Sequence, residues 1–228
     1  MKLSFLVTAH NEVDELRKLL DQLTEYVIKN GQIDEVVILN DYSDNPNTIK
    51  ILEAASKHPF VTLLHHRLNN NFGEHKTVGS RACKNEYIIQ LDADEYLHPT
   101  LLENLRDIIE ANPTVELFRV PRVNIVRGMT PDDARKWGWH VSSLPEFPGM
   151  SIVNWHSGDY QWRIYKNSER IKWTKKLHEV ISGASVVTEL PKEVELSIIH
   201  DKTIERQRAQ NEFYNKNWSV KENMGASK

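Results

Sequence analysis

Ten residues constrain this chain more than any other stretch: Tyr87-Ile88-Ile89-Gln90-Leu91-Asp92-Ala93-Asp94-Glu95-Tyr96. The apolar run from Tyr87 to Leu91 reads as a buried strand, and it ends in three carboxylates within four residues. A buried strand does not tolerate unpaired charge, so the carboxylates are expected where the strand leaves its sheet. In an open α/β sheet that edge is where ligands bind. Asp92 and Asp94 are two positions apart, and an extended backbone would turn both to the same side. Two hard oxygen donors there suit a divalent cation and, through it, a diphosphate. They equally suit an acidic surface turn that caps the following helix.

The stretches before it decide what kind of sheet this strand joins. Leu3 to Thr8 is a short apolar strand, and Asn11, with Asp14 three positions on, has the pattern of a capping box for the next helix. Val13, Leu16, Leu20, Leu23 and Val27 follow at helical spacing, and Asn30-Gly31 ends that helix. Glu35 to Leu39 is a second buried strand, closed by the polar turn Asn40 to Asp44. Asn45-Pro46 opens another helix. Val61 to Leu64 is a third strand, and about Glu74 to Lys84 is helical. Strand and helix alternate through residue 96, which indicates βαβ units and a mostly parallel sheet with helices on both faces, an α/β fold.

A helix over Thr100 to Ala111 and a strand over Val115 to Val120 come next, and then the composition changes. All six tryptophans lie from Trp137 onward. Residues 127 to 150 carry three prolines and three glycines and read as a long irregular loop, of the kind that serves as a lid or binding element. Short strands are expected near Gln161–Tyr165, Ser185–Leu190 and Val194–Ile199, with a polar helix from Asp201 to about Asn217. A nucleotide-type α/β half is thus followed by an aromatic-rich half. Aromatic faces stack on sugar rings, and they are also ordinary core material.

Bulk properties exclude several classes. A net charge of −3 provides no global basic surface for nucleic acid. The single cysteine, Cys83, rules out an intrachain disulfide and a cysteine-based zinc site, and it reads as a small buried helix residue. No apolar run approaches the roughly 18 residues needed to span a membrane. The apolar start Met1 to Val7 is broken by Thr8-Ala9-His10-Asn11-Glu12 too early for a signal peptide, so a cytoplasmic protein is expected.

Several motifs in order resemble the family 2 glycosyltransferases of the GT-A fold. Leu6 to Glu12 resembles that family's opening strand. Val37 to Asp44 resembles its Asp-Asp-Gly-Ser-Thr-Asp turn, with Asn40 for the first Asp and Tyr42 for the Gly. Gly73 to Lys76 and Glu86 to Glu95 resemble its helix and Asp-x-Asp segment. Leu91 to Glu95, Asp159 to Tyr165, Leu177-His178-Glu179 and Ile199-His200 are similar to the lipopolysaccharide-core glucosyltransferase branch, and the chain as a whole also resembles soluble phage-encoded relatives. The resemblance covers about residues 1 to 200. It implies one GT-A domain, residues 1–96 binding the nucleotide sugar and residues 97–228 the acceptor, with a smaller mixed subregion and a C-terminal helix.

The resemblance further implies an inverting transfer of a sugar from a nucleotide diphosphate sugar, a UDP-sugar foremost, with Mn²⁺ or Mg²⁺. Thr8, His10, Glu12, Asp41, Lys76, Asp92, Ala93 and Arg163 would bind the donor, Asp41 facing the base. Asp92, Asp94 and His200 would hold the metal, with His178 competing for the histidine's place. Inversion needs a base opposite the leaving group, and Glu179 and Asp159 are both candidates. Lys76 is either a cation for the diphosphate or a solvated helix lysine; Arg163 binds phosphate or pairs with one of these acids. Trp137, Trp139, Trp162 and His178 are the acceptor candidates. The acceptor is a lipopolysaccharide or lipid-linked saccharide, or a hydroxymethylated pyrimidine in phage DNA. A nucleotidyltransferase would share the carboxylates, but it usually has a Gly-rich loop after its first strand, which is lacking here. A non-catalytic carbohydrate- or nucleotide-binding module would be expected to have lost these acids, and all are present. Oligomeric state is not legible.

Overall fold

Leu3–Ala9 forms the first strand, β1, and Leu3, Phe5, Leu6 and Val7 expose no surface. A strand covered on both faces reads as a continuous apolar run, not an alternating one. Asp14–Lys29 (α1) turns Leu16, Leu19, Leu20, Leu23 and Val27 inward at helical spacing. Glu35–Asn40 (β2), Pro46–Ala55 (α2), Val61–His65 (β3), Phe72–Ala82 (α3) and Tyr87–Asp92 (β4) complete the alternation. β1 lies between β2 and β4, β3 lies outside β2, and all three pairings are parallel.

Glu95–Leu97 (β5), Pro99–Glu110 (α4), Leu117–Val120 (β6), Arg122–Arg127 (β7), Pro131–Trp137 (α5), Val141–Ser142 (β8) and Ile152–Val153 (β9) follow. Then come Gln161–Lys166 (β10), Lys172–Thr174 (β11), Val180–Ser182 (β12), Val187–Glu189 (β13), Ile198–Thr203 (β14) and Ile204–Asn217 (α6). The seven-stranded sheet has the order β13-β6-β10-β4-β1-β2-β3, and β10 runs antiparallel to β4, so the sheet is mixed.

The computed structural model describes residues 1–219. They fall into two units. The first comprises Met1–Tyr96, Arg106–Arg119 and Trp162–Thr188, and the second Leu97–Leu105, Val120–Gln161 and the chain from Glu189 onward. The first holds the body of the large sheet, and β11 and β12 pair antiparallel within it. In the second, β14 runs parallel to β7, and β7, β9 and β8 pair antiparallel. There Val126, Val153 and Ile204 form a small core on which Met129, Trp137 and Trp139 pack.

Four local expectations are corrected. Asn11 does not cap α1: Val13 holds that position without a side-chain bond. Asn11, at φ 65, instead accepts from the backbone N–H groups of Asp44 and Asn45, both at 2.9 Å, and so ties the β1 exit to the β2 exit. The 127–150 segment is not wholly irregular. Thr130 and Asp133 form a reciprocal capping box around Pro131, and that start signal nucleates α5. Val194–Leu196 is a 3₁₀ turn, and the strand expected there starts at Ile198 and runs to Thr203, delaying the last helix to Ile204. Finally, β4 ends at Asp92, and Ala93-Asp94 is a turn, so the two carboxylates do not share one extended face.

Candidate active site

The exits of β1, β2 and β4 meet at one edge of the large sheet. Thr8 lies opposite Asp92 on one side and Leu39 on the other. The Asp41 N–H donates to the Ala9 carbonyl at 2.9 Å. The Asp41 carboxylate accepts from the Leu68 N–H at 2.9 Å, which fastens the segment after β3. His10 Nδ1 stands 2.7 Å from the Asp41 carbonyl oxygen and 3.7 Å from its carboxylate. Glu12 accepts from the His10 N–H at 2.6 Å, and its own carbonyl accepts from the Thr48 hydroxyl at 2.7 Å. Thr8, His10, Glu12 and Asp41 are thus brought together, with Glu12 bracing the loop.

Asp92 is the centre of a denser set. Its Oδ1 accepts from the Thr8 hydroxyl at 2.7 Å and the Gln90 amide at 3.0 Å, and lies 3.0 Å from Lys76 Nζ. Its Oδ2 accepts from Arg163 Nη2 at 2.8 Å. Arg163 Nη2 also donates to Glu95 Oε1 at 2.7 Å, and Nη1 to the Gln90 side-chain oxygen. Glu95 Oε2 in turn accepts from the Asp92 N–H at 3.1 Å. Burial works to raise the Asp92 carboxyl, and Lys76 and Arg163, with the Thr8 and Gln90 hydrogen bonds, override it and hold it well below the usual range. Arg163 is thus turned inward, a partner of Asp92 and Glu95. Lys76 is not a solvated helix lysine: its side chain is 3% exposed.

Lys76 also reaches Glu179 Oε1 at 2.6 Å. Burial pushes the Glu179 carboxyl up, and the Lys76 ammonium outweighs that and keeps it below its ordinary value. The loop before β12 is seated on α3 by backbone. Phe72 N–H donates to the Lys176 carbonyl at 2.9 Å and Gly73 N–H to the Lys175 carbonyl at 3.2 Å. A Cβ at Gly73 would meet the Lys175 carbonyl oxygen at 2.4 Å, so only glycine permits that approach. His178 lies in the same loop at φ 52, partly exposed. Trp162 packs partly buried against the core of the first unit, with the Arg119 guanidinium 5.0 Å over its ring.

Asp159 belongs to the second unit. Its Oδ2 takes Arg122 Nη2 at 2.8 Å, Arg122 Nε at 2.9 Å and the Asn124 amide at 2.6 Å. Burial raises this carboxyl, but Arg122 and Asn124 prevail and lower it. His200 is buried in the same unit, its Nδ1 2.9 Å from the Asn124 side-chain oxygen. Asn124 therefore touches both Asp159 and His200. Trp137 and Trp139 stand with ring centroids 4.8 Å apart.

The donor chemistry suits a Mn²⁺ or Mg²⁺ ion in kind, but the arrangement does not. Both Asp92 oxygens already accept from protein donors, two of them cationic. Among the described residues no group of three or more His, Cys, Asp or Glu is placed to hold a metal. Asp92 as it stands does not fit a metal ligand. Sequence reasoning also missed the supporting residues Gln90, Glu95, Arg122 and Asn124. Glu95 and Gln90 were visible as polar residues flanking Asp92 in the motif; Arg122 and Asn124 carried no local signal.

The glycosyl transferase family 2 profile matches residues 4–188, and the chain belongs to that family. An uncharacterized glycosyltransferase of Haemophilus influenzae is 29% identical over 119 residues, 52% of this chain and 38% of that one. The dolichyl-phosphate beta-glucosyltransferase ALG5A of Trichomonas vaginalis is 32% identical over 97 residues, 40% of this chain and 30% of that one. The undecaprenyl-phosphate 4-deoxy-4-formamido-L-arabinose transferase of Yersinia pestis is 29% identical over 111 residues, 48% of this chain and 34% of that one. These matches span 30–38% of the relatives' length. S. aureus TarS shares the fold, with a TM-score of 0.61 at 15% identity over 88% of this chain and 37% of TarS. TarS residues 1–349 have been solved with UDP-GlcNAc.

Proposed function

We propose that this chain transfers a sugar from a UDP-sugar, with inversion, to a hydroxyl of a lipid-linked saccharide. The observation that carries the reading is the ordered carboxylate edge. Asp92 is pinned at the end of β4 beside Thr8, one strand from Asp41, with Lys76 linking it to Glu179. Asp41 faces the base and Asp92 the ribose. Glu179 takes the acceptor hydroxyl's proton as the new bond forms at the anomeric carbon. The diphosphate leaves from the opposite side, and the configuration inverts. The lipid carrier is supported by relatives named for dolichyl and undecaprenyl phosphates. No described helix is long and apolar enough to cross a membrane.

Thermal shift with UDP- and GDP-sugars, with and without Mn²⁺, tests the donor. A ligand at 100 times its Kd adds about 2.7 kcal/mol, which raises the melting temperature by about 5–11 °C for a chain of this size. Stabilisation by none of them would overturn the reading. A labelled donor offered to lipid-linked saccharide and to hydroxymethylated DNA then tests the acceptor, and transfer to DNA alone overturns the lipid assignment. In the same assay Trp137→Ala or Trp139→Ala raises the acceptor KM. A change confined to donor affinity would remove both residues from the acceptor site.

A further inference from the structure

We infer that Lys76 is a positioning residue for Glu179, not a ligand of the donor diphosphate. The inference rests on Glu179 being the base, as proposed above. Its own support is the charge count around Asp92. Two cations, Lys76 and Arg163, meet three carboxylates, Asp92, Glu95 and Glu179. These five groups carry one negative charge in excess, so they have no positive charge to lend to an arriving diphosphate.

Geometry points the same way. The Lys76 ammonium lies 2.6 Å from Glu179 and 3.0 Å from Asp92, and 4.9 Å over the Trp173 ring. Its side chain is 3% exposed, while those of Glu179 and Asp92 are 16% and 33% exposed. Both carboxylates are largely buried with some exposure, whereas the lysine is almost wholly buried. Drawing Lys76 towards a diphosphate would take from Glu179 the cation that offsets its burial, and from Asp92 one of its two, and uncompensated buried charge is strongly unfavourable. The lysine therefore stays, and its function is to set where the Glu179 carboxylate points. The backbone bonds from Phe72 and Gly73 to the Lys176 and Lys175 carbonyls hold the same loop to the same helix turn, so α3 carries both fastenings. The charge that meets the diphosphate then comes from outside this cluster.

Two roles of Lys76 predict opposite kinetic signatures. A positioning residue changes kcat, because misplacing a reacting group by about 1 Å costs on the order of 100-fold. A diphosphate ligand changes UDP affinity. We would measure UDP affinity by calorimetry, and kcat at saturating donor, for Lys76→Met, Lys76→Arg and Glu179→Gln. The expected result is a roughly 100-fold lower kcat for Lys76→Met with the UDP Kd unchanged, and partial recovery in Lys76→Arg. The double variant Lys76→Met/Glu179→Gln should be no slower than Glu179→Gln alone, because the lysine acts through the glutamate. It also removes both charges of the pair, so it keeps the comparison open should Lys76→Met alone not fold. A weakened UDP Kd with kcat intact overturns the inference and makes Lys76 a phosphate ligand. An additive loss in the double variant overturns it as well. Wild-type kcat in Glu179→Gln instead overturns the base assignment beneath it, and the UDP Kd of Lys76→Met is still read independently.

Discussion

Replacing Glu95 by Gln lowers the melting temperature of the protein by about 6–12 °C. Glu95 is 1% exposed and Arg163 4%, so their 2.7 Å ion pair lies out of water. Removing one partner of a buried pair costs about 3–5 kcal/mol, because the other charge is left without its counter-ion. Arg163 keeps Asp92 and the Gln90 oxygen, which places the loss near 3 kcal/mol. For a chain of this size each kcal/mol shifts the melting temperature by about 2–4 °C. Calorimetry on Glu95→Gln beside the exposed Glu146→Gln reads the difference, since a surface change of that kind stays within about 0.5 kcal/mol. Equal melting temperatures for the two variants would show that the pair contributes nothing. The substitution also removes charge from the group that accepts the Asp92 N–H, so the loss of stability falls on the carboxylate edge itself.

Why Glu95 escaped notice as a structural residue says what a sequence conveys about such a site. The strands β1, β2 and β4 are legible because each is a continuous apolar run bounded by polar residues, and burial on both faces makes that pattern. The helix opened by Asn45-Pro46 is legible because cap and proline are adjacent, and Asn45 does accept from the Asn47 N–H. The carboxylate edge follows from where the apolar runs stop. The partners of those carboxylates do not follow. Arg163 meets Glu95 across 68 residues and Lys76 meets Glu179 across 103, and no local period links them. Local geometry was overread at Asp92 and Asp94, whose spacing is that of a strand although the strand ends at the first of them. At α5 the opposite occurred. Prolines and glycines masked a capping box written plainly as Thr130-Pro131-Asp132-Asp133.

Glu179→Gln lowers kcat by about 10²–10⁴ and leaves UDP affinity unchanged, the loss expected when a general base is removed but the donor contacts remain. Glu179 and Asp159 were indistinguishable from sequence, and their surroundings now differ. The Oδ2 of Asp159 takes two nitrogens of Arg122 and the Asn124 amide, and the Gln161 amide adds a contact at 3.2 Å to Oδ1. A carboxylate so occupied serves as an anchor, and receiving a proton would break up the set. Glu179 meets Lys76, which holds it in the ionised form that a base requires. The sign of that effect is testable. Because the folded carboxyl is depressed, Glu179 stays ionised below the ordinary glutamate value of about 4.3. The acid limb of the kcat/KM profile therefore lies below that value, with activity lost only as the pH falls through the lowered one. In Lys76→Arg, which keeps a cation in place, the limb remains low. In Lys76→Met burial and the Asp92 charge, which both raise this carboxyl, are no longer offset by the ammonium, and the limb moves upward. Steady-state kinetics on Glu179→Gln and Asp159→Asn at saturating donor compare the two acids directly. Asp159→Asn should change kcat by less than tenfold, with most of its effect on the melting temperature, since the arginine loses its counter-charge. If Asp159→Asn instead loses the larger share of kcat while Glu179→Gln stays near wild type, the base lies in the second unit and the Lys76 pair is structural.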